Sequence, residues 1–216
     1  MTTRAVIFDM DGILVDTEEI WHQVRHDFVA SFGGVWTAQH QRDCMGANSA
    51  QWSRYIRRTF RAPMTEQEIL AGVVSMLRDS YAADLPVIPG ASEAVRALAG
   101  AGLSLAVASS SPLSIIEFLM ERMGLTESFQ ALVSSDAVEH GKPSPDVYAF
   151  ACAQLQVRPE EAVAVEDSGN GIVAAADAGL FVIAIPNKLF PPETAALARA
   201  SRVLDSIREL TPEVLP

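Results

Sequence analysis

Cysteine and lysine are both scarce in this sequence. Among its 216 residues there are two cysteines, Cys44 and Cys152, which lie far apart and lack the spacing of a metal site. A disulfide framework is therefore not expected, and the default interpretation is a reducing compartment, the cytoplasm. The two lysines, Lys142 and Lys188, are so few that the position of each calls for an explanation.

Long apolar runs are absent as well. No stretch reaches the roughly 20 apolar residues that a membrane-spanning helix needs. The first residues, Met-Thr-Thr-Arg, lead directly into a short apolar segment and do not resemble a signal peptide. We therefore expect a soluble protein without a membrane partner.

Positive charge is in deficit. The chain has 16 Lys and Arg against 27 Asp and Glu, which gives a formal net charge of −11. This balance argues against nucleic acid or an anionic membrane as a general partner. It does not exclude a small anionic substrate, because a metal ion and a few cationic groups can dominate the potential in a small site.

The chain does contain enough apolar material for a sizeable core. Hydrophobic residues make up 49% of the sequence and charged residues 20%, a composition typical of a globular protein and not of a disordered one. A chain of this length forms one large domain or two unequal ones.

The segment from Ala5 to Thr17 is the most informative part of the sequence. Its apolar run (5–8) predicts a strand buried on both faces, and two carboxylates, Asp9 and Asp11, follow directly. Gly12 then permits a tight turn or a close approach to a ligand. Two acids at the end of a buried strand repel each other, so a hard divalent cation between them is the obvious explanation.

Strand and helix patterns alternate from Leu85 to the end of the chain. Apolar runs at 103–108, 131–133, 162–165 and 181–185 predict further buried strands, with helices between them and helical segments at 193–200 and 206–210. Ser111-Pro112 and Ser144-Pro145 are typical of helix starts, each with a capping serine and a proline at the first position. The pattern predicts an α/β fold with a doubly wound parallel sheet.

Residues 18–84 interrupt this pattern. Apolar residues at helical spacing predict three helices there: one with a stripe from Trp21 to Phe32, one over 50–60, and one over 65–81 that opens with a capping box at Thr65 and Glu68. We interpret this block as a small helical bundle inserted after the first strand.

Polar groups follow four of the predicted strands, at the edge of the sheet where ligands of such folds bind. Besides Asp9 and Asp11, the candidates are hydroxyls and backbone N–H groups at 109–111, Lys142 in Gly-Lys-Pro-Ser-Pro-Asp, and the adjacent acids Glu166 and Asp167. A helix start such as 109–111 suits phosphate. An isolated lysine between Gly and Pro is poorly explained as a surface charge.

These motifs together resemble the haloacid dehalogenase superfamily, specifically its phosphatase and phosphomutase branch. The resemblance implies that Asp9 is the nucleophile that becomes an aspartyl-phosphate and that Asp11 is the general acid/base. The resemblance also implies that the substrate phosphate is bound by Gly12, Ser109, Ser110 and Lys142. An acid at position 11 favours phosphate chemistry over carbon–halogen chemistry, because dehalogenases of the superfamily lack it.

The same resemblance implies Mg²⁺ as the cofactor. Its implied ligands are Asp9, Asp167 and Asp11, the last through its main-chain carbonyl. Glu166 either joins them directly or acts through water, and the sequence does not separate these two possibilities.

The helical block resembles the family's cap. The implied domains are a catalytic core of residues 1–17 and 85–216 and a cap of residues 18–84, which selects the substrate. Candidate cap and substrate contacts are Thr17, His22, Gly46 and Asn48, although His22 is equally well explained as an exposed helix residue. An arginine stripe of Arg54, Arg57, Arg58 and Arg61 is either a solvated face or a second contact for an anion.

The expected activity is Mg²⁺-dependent hydrolysis of a small phosphorylated metabolite of the sugar phosphate or phosphoglycolate class by a monomer or weak dimer. The alternative is a β-phosphoglucomutase-like phosphomutase, but the positions that resemble its cap residues hold Trp21, Ser49 and Leu77. Phosphonoacetaldehyde hydrolases use a cap lysine, and residues 18–84 contain none. A non-catalytic binding protein on this fold is the least favoured reading.

Overall fold

A six-stranded parallel sheet forms the centre of the molecule, whose computed structural model describes residues 2–44, 46–188 and 191–216. The strands lie in the order β3-β2-β1-β4-β5-β6, and each pairing is parallel. Their bounds are β1 Ala5–Phe8, β2 Ser104–Ser109, β3 Ala131–Ser134, β4 Ala162–Glu166, β5 Phe181–Ala184 and β6 Arg202–Val203. The predicted α/β fold with a doubly wound parallel sheet is confirmed.

Nine α-helices accompany the sheet within the described residues. Four of them lie between β1 and β2 and precede α5: α1 Glu18–Ala30, α2 Ala38–Cys44, α3 Ser49–Thr59 and α4 Glu66–Ala83. The other five are α5 Ala91–Gly100, α6 Leu113–Arg122, α7 Asp146–Gln154, α8 Gly169–Asp177 and α9 Thr194–Leu197. None of the helices in the described ranges is long and apolar enough to cross a membrane.

The central strand β1 is inaccessible to solvent on both faces, which explains why its sequence is uniformly apolar. Val6 and Phe8 belong to one hydrophobic cluster, together with side chains of α5 and α6. Ala5 and Ile7 belong to a second cluster on the opposite face, with side chains of α7 and α8. Helices therefore cover both sides of the sheet, and polar groups can approach it only at its ends.

Helices α1, α3 and α4 pack against one another in the inserted block. Trp21 of α1 and Trp52 of α3 meet edge to face, with ring centroids 6.0 Å apart. The predicted capping box at Thr65 and Glu68 opens α4. The division of the chain into a core and a cap domain stays a prediction.

Several predicted element boundaries were wrong. Helix α2 and strand β6 were not predicted, and the tail segments 193–200 and 206–210 shrink to α9 and a single 3-10 turn, Ile207–Glu209. The Gly-Asn-Gly sequence, read as a turn, forms the first turn of α8, because the Ser168 hydroxyl accepts a hydrogen bond from Gly171 N (3.1 Å).

The two predicted serine caps were also wrong. Helices α6 and α7 begin at Leu113 and Asp146, so a proline, not a serine, occupies each capping position. The Ser111 hydroxyl instead donates to Asp11 Oδ2 (2.8 Å), and the Ser144 hydroxyl donates to Asp146 Oδ1 (2.6 Å). Each serine hydroxyl thus bonds to a carboxylate and does not cap the backbone N–H groups of the helix.

Candidate active site

Three neighbouring strands deliver polar side chains to one edge of the sheet. Strand β1 is paired with β2 on one side and β4 on the other. Asp9 follows β1, Ser109 ends β2, and Glu166 ends β4 with Asp167 next in the chain. The parallel register therefore brings together residues that lie up to 158 positions apart in sequence.

The first cluster at this edge consists of three carboxylates around one ammonium. Oxygen atoms of Asp9, Glu166 and Asp167 lie within 4.8 Å of one another, and all three residues are buried. Lys142 Nζ donates to Asp9 Oδ1 at 2.9 Å and to Glu166 Oε1 at 2.6 Å. Lys142 is itself 7% exposed, so its reading as an ordinary surface lysine is excluded, whereas Lys188 is exposed.

Glu166 is held by donors on both of its carboxylate oxygens. In addition to Lys142, the Tyr148 hydroxyl donates to Oε1 at 2.8 Å. Oε2 accepts from the backbone N–H groups of Asp167 (3.0 Å) and Ser168 (3.1 Å) and from the Ser168 hydroxyl (3.1 Å). This occupancy favours a positioning role for Glu166, whereas Asp9 Oδ2 and Asp167 Oδ1 accept no hydrogen bond from the described residues.

Burial of this cluster changes its proton affinity. Desolvation raises the pKa of Asp9 to about 7, although Lys142 acts in the opposite direction, and Glu166 and Asp11 add to the rise. Desolvation also raises the pKa of Asp167 well above its usual value, with a further contribution from Glu166. One ammonium thus does not neutralise three buried carboxylates, and an additional cation suits the site.

Asp11 lies in a second cluster, made of hydroxyls. Ser109 Oγ donates to Asp11 Oδ2 at 3.1 Å and Ser111 Oγ at 2.8 Å, while Thr17 Oγ1 donates to Asp11 Oδ1. The side chain of Asp11 is therefore separate from the three-carboxylate cluster. This is consistent with the expectation that any contact of Asp11 with a metal uses its main-chain carbonyl.

Two glycines allow the carboxylates to approach the backbone. A Cβ atom on Gly12, which has φ +85°, would lie 2.1 Å from Asp167 Oδ2. A Cβ atom on Gly171 would lie 1.6 Å from Glu166 Oε1. Any larger residue at either position must displace a carboxylate of the cluster.

A cavity of about 660 Å³ opens over both clusters. Its floor includes Asp9, Asp11, Gly12, Lys142 and Asp167, and its walls include residues of α1 and α3. Ser110 also lines the cavity, and its buried Oγ has no partner among the described residues. Ser109 is fully buried, with its hydroxyl committed to Asp11, so Ser110 is the one of the two that borders the cavity.

The predicted cap residues fall into different places. Gly46 lines the cavity, and Thr17 bonds to Asp11. Asn48 accepts a hydrogen bond from Gln51 N (3.0 Å) and so caps α3. His22 is half-buried on α1 and is not among the residues that line the cavity.

The arginine stripe is a solvated face. Its four members are exposed, and Arg54 and Arg57 lie 3.5 and 3.8 Å from the carboxylate of Glu66. None of the four lines the cavity. The cationic side chain of the inserted block that does so is Arg25, a buried residue of α1 that the sequence patterns did not single out.

The residues present fit a divalent metal ion. Asp9 and Asp167 each offer one carboxylate oxygen that accepts no hydrogen bond from the part of the chain that the structure describes, the cluster carries excess negative charge, and its ligand atoms are all hard oxygen atoms. Mg²⁺ commonly takes one or two carboxylates and completes its shell with water and substrate phosphate.

Comparison with known proteins places the chain in its family. A family model described as haloacid dehalogenase-like hydrolase matches residues 6–185. Hexitol phosphatase B of Escherichia coli O157:H7 is 34% identical over 215 residues, which cover 96% of this chain and 94% of that protein. A phosphorylated carbohydrates phosphatase of Thermotoga maritima is 30% identical and covers 82% of each chain.

Solved structures give the same picture. The crystal structure of CbbY from Rhodobacter sphaeroides in complex with phosphate superimposes with a TM-score of 0.87 at 32% identity. The match covers 97% of this chain and 96% of CbbY.

Proposed function

This chain belongs to the haloacid dehalogenase-like hydrolase family and is a phosphoric monoester hydrolase, and we propose that it hydrolyses a small phosphorylated metabolite of the sugar phosphate or phosphoglycolate class. The proposed reaction depends on Mg²⁺ and passes through an aspartyl-phosphate on Asp9. Relatives named for phosphorylated carbohydrates and hexitols support the sugar phosphate class.

One observation carries this proposal. Three buried carboxylates lie close together, a buried ammonium bonds to two of them, and Asp9, Asp167 and Lys142 of this cluster line a cavity that Ser110 also lines. A phosphate dianion resists attack by a carboxylate, because like charges repel. A site that holds a nucleophilic carboxylate beside a fixed cation is suited to overcome that repulsion.

Lys142 has two tasks in the proposed mechanism. Its bond to Asp9 Oδ1 fixes the orientation of that carboxylate, which attacks phosphorus and displaces the alcohol. Its charge also lowers the repulsion between Asp9 and the incoming phosphate. Asp9, Asp167 and the main-chain carbonyl of Asp11 would hold Mg²⁺, which would supply the remaining neutralisation.

Asp11 is the proposed proton carrier. In its protonated form it donates to the leaving alcohol oxygen, and its carboxylate form then removes a proton from the water that cleaves the aspartyl-phosphate. The hydroxyls of Thr17, Ser109 and Ser111 fix its side chain. A hydroxyl can donate or accept, so this cluster accommodates both protonation states.

The test is phosphate release from a panel of phosphorylated metabolites. The wild type is expected to lose activity in EDTA and regain it with Mg²⁺, and Asp9→Asn is expected to abolish turnover while the fold is retained. Asp205→Asn, an exposed acid outside the site, is the matched control and should behave like the wild type. Substantial turnover by Asp9→Asn, or in EDTA, would contradict the mechanism.

The same panel decides the phosphomutase alternative. A hydrolase releases inorganic phosphate in proportion to the ester consumed, whereas a mutase yields a rearranged sugar phosphate. Chromatographic analysis of the products distinguishes these outcomes.

A further inference from the structure

A buried guanidinium without a counter-ion lines the same cavity. Arg25 lies on α1 and is only 5% exposed. No carboxylate lies within ion-pair distance of Arg25 in the described ranges. Each ion pair there involves an exposed side chain or Lys142. A buried charge without a partner is costly, so an arginine at such a position calls for an explanation.

The contacts of Arg25 position the guanidinium without neutralising it. Its Cζ atom lies 4.4 Å from the ring centroid of Trp21 and 5.6 Å from that of Trp52. Nη1 donates a long hydrogen bond of 3.4 Å to the neutral side chain of Gln41, and Nε has no partner among the described residues. The group therefore packs against two indole rings with donors left over.

None of the surrounding titratable groups in the described residues forms an ion pair with this charge, although the carboxylates of Glu18 and Asp11 act on it from a distance. Burial raises the pKa of the Cys44 thiol to about 11 and that of the Tyr81 phenol well above its usual value, so both are neutral near pH 7. Glu18 lines the cavity, but it is separated from Arg25 by Gln41, whose Nε2 donates to Glu18 Oε1 at 2.7 Å. Burial lowers the pKa of Arg25, yet a guanidinium stays protonated.

We propose that Arg25 binds a second anionic group of the substrate, at the end away from the phosphate that is hydrolysed. The substrate class is then a phosphate monoester that also carries a carboxylate or a second phosphate. This inference rests on the proposed function, because the Asp9–Lys142 cluster and Arg25 line one cavity. About 660 Å³ is sufficient for a small organic bisphosphate.

Guanidinium geometry suits this task. Its planar array of donors matches the oxygens of a carboxylate or phosphate, and contact with Trp21 and Trp52 shields part of the group from water. Polar groups fixed in this way discriminate strongly against ligands that leave them unpaired.

The experiment compares two pairs of esters. In each pair the reacting phosphate is similar and only the far end differs: fructose 1,6-bisphosphate against fructose 6-phosphate, and 3-phosphoglycerate against glycerol 3-phosphate. All four esters carry the reacting phosphate; we call the ester with a second anionic group at the far end the anionic member of its pair and the other the neutral member. The wild type is expected to show at least a tenfold higher kcat/KM on the anionic member of one pair. Which pair responds identifies the second anion as a phosphate or a carboxylate.

Arg25→Gln is expected to lower kcat/KM on that anionic member by about 10- to 100-fold, the range typical of a lost charge-assisted hydrogen bond. The neutral member should change less than about threefold on the same reasoning. Arg57→Gln, on the exposed face of α3, is the matched control and should change neither. Arg25→Lys keeps the charge but loses the planar donors, so we expect an intermediate and equally selective loss.

A binding measurement covers the case in which Arg25 variants do not fold. In the Asp9→Asn variant, tryptophan fluorescence follows ligand binding beside Trp21 and Trp52, and the anionic member of the responsive pair should bind more tightly. A preference of the wild type for the neutral members, or an equal loss on both members in Arg25→Gln, overturns this inference but leaves the proposed function intact. If no phosphate is released from any ester, the proposed function itself fails.

Discussion

At the scale of single residues, the site divides its acids between different tasks. Glu166 accepts five hydrogen bonds and orients Lys142, whereas Asp9 and Asp167 retain free oxygens. The ring of Tyr148 also lies 5.0 Å below the Lys142 ammonium. The position of the Lys142 ammonium thus depends on Glu166, and the position of Glu166 depends in part on the hydroxyl of Tyr148.

Tyr148→Phe tests this dependence. The ring stays beneath Lys142, but Glu166 Oε1 loses a buried donor, so we expect the free energy of unfolding to fall by about 1–3 kcal/mol and kcat to fall several-fold. Tyr55→Phe is the control, since it removes a hydroxyl bonded to exposed Asp43. Urea denaturation and kcat are measured for both; equal effects from the two variants would refute the role assigned to Tyr148.

Gly12 and Gly102 form a matched pair for a second test. Both have positive φ, +85° and +82°, but a Cβ on Gly12 collides with Asp167 whereas nothing lies within 4 Å of a Cβ on Gly102. Alanine at either position should cost about 1–2 kcal/mol of stability through backbone strain.

Gly12→Ala alone should also reduce activity by at least tenfold and weaken activation by Mg²⁺, because Asp167 is displaced. Steady-state kinetics as a function of Mg²⁺ concentration provide the measurement. Unchanged Mg²⁺ dependence in Gly12→Ala would show that this close approach does not position the carboxylate.

At the scale of elements, the parallel sheet made much of the site predictable. Uniformly apolar runs identified β1, β2 and β4, and parallel strands must place their carboxyl ends at one edge. That Asp9, Ser109, Glu166 and Asp167 lie at one edge follows from that rule, and that they meet there follows from the strand order β2-β1-β4. Lys142 lies in a loop, and only its rarity and its Gly-Pro context singled it out.

Other features depended on contacts that sequence patterns do not contain. An arginine on an amphipathic helix ordinarily lies in solvent, and the sequence carries no signal that Arg25 packs against Trp52 of α3. The predicted helix cap at Ser111 was wrong because a carboxylate distant in sequence, Asp11, accepts a hydrogen bond from the Ser111 hydroxyl. Helix α2 has seven residues, too few for an apolar period to be recognised.

Asp136 joins the inserted block to the sheet region by the same kind of long-range contact. It follows β3 and accepts hydrogen bonds from Ser49 N (2.9 Å) and Ser49 Oγ (2.5 Å) at the start of α3. A carboxylate also interacts favourably with the positive end of a helix. The bonds therefore hold α3 against the edge of the sheet where Lys142 lies.

Asp136→Ala should loosen this attachment. We expect faster limited proteolysis within residues 18–84 and a lower kcat/KM, while the urea midpoint changes little. Asp177→Ala, which breaks the exposed pair with Arg199, is the control. Identical proteolysis of Asp136→Ala and the wild type would exclude a fastening role.

At the scale of the whole molecule, acidity and burial act together. The net charge of −11 disfavours a compact state, and the site adds carboxylates that burial has already made hard to ionise. Exposed pairs such as Arg158–Glu161 contribute little in comparison. Much of the pH response of the metal-free protein should therefore arise at the site.

The sign of that response follows from the pKa of Asp9, which burial raises from 3.8 to about 7. Between roughly pH 4 and 7 the folded metal-free protein binds more protons than the unfolded chain, so its free energy of unfolding falls as the pH rises. In Asp9→Asn this position does not titrate. The free energy of unfolding of the variant, relative to that of the wild type, should therefore rise by roughly 1–4 kcal/mol between roughly pH 4 and pH 7.

Urea denaturation in EDTA at several pH values measures this difference, and Asp205→Asn should run parallel to the wild type. Added Mg²⁺ binds the ionised carboxylates, so it should stabilise the wild type more at pH 7.5 than at pH 5. It should stabilise Asp9→Asn much less at either pH. Parallel stability profiles for the wild type and Asp9→Asn, with no effect of Mg²⁺, would mean that the pKa of Asp9 is not raised in the folded protein and that the buried carboxylates do not bind Mg²⁺.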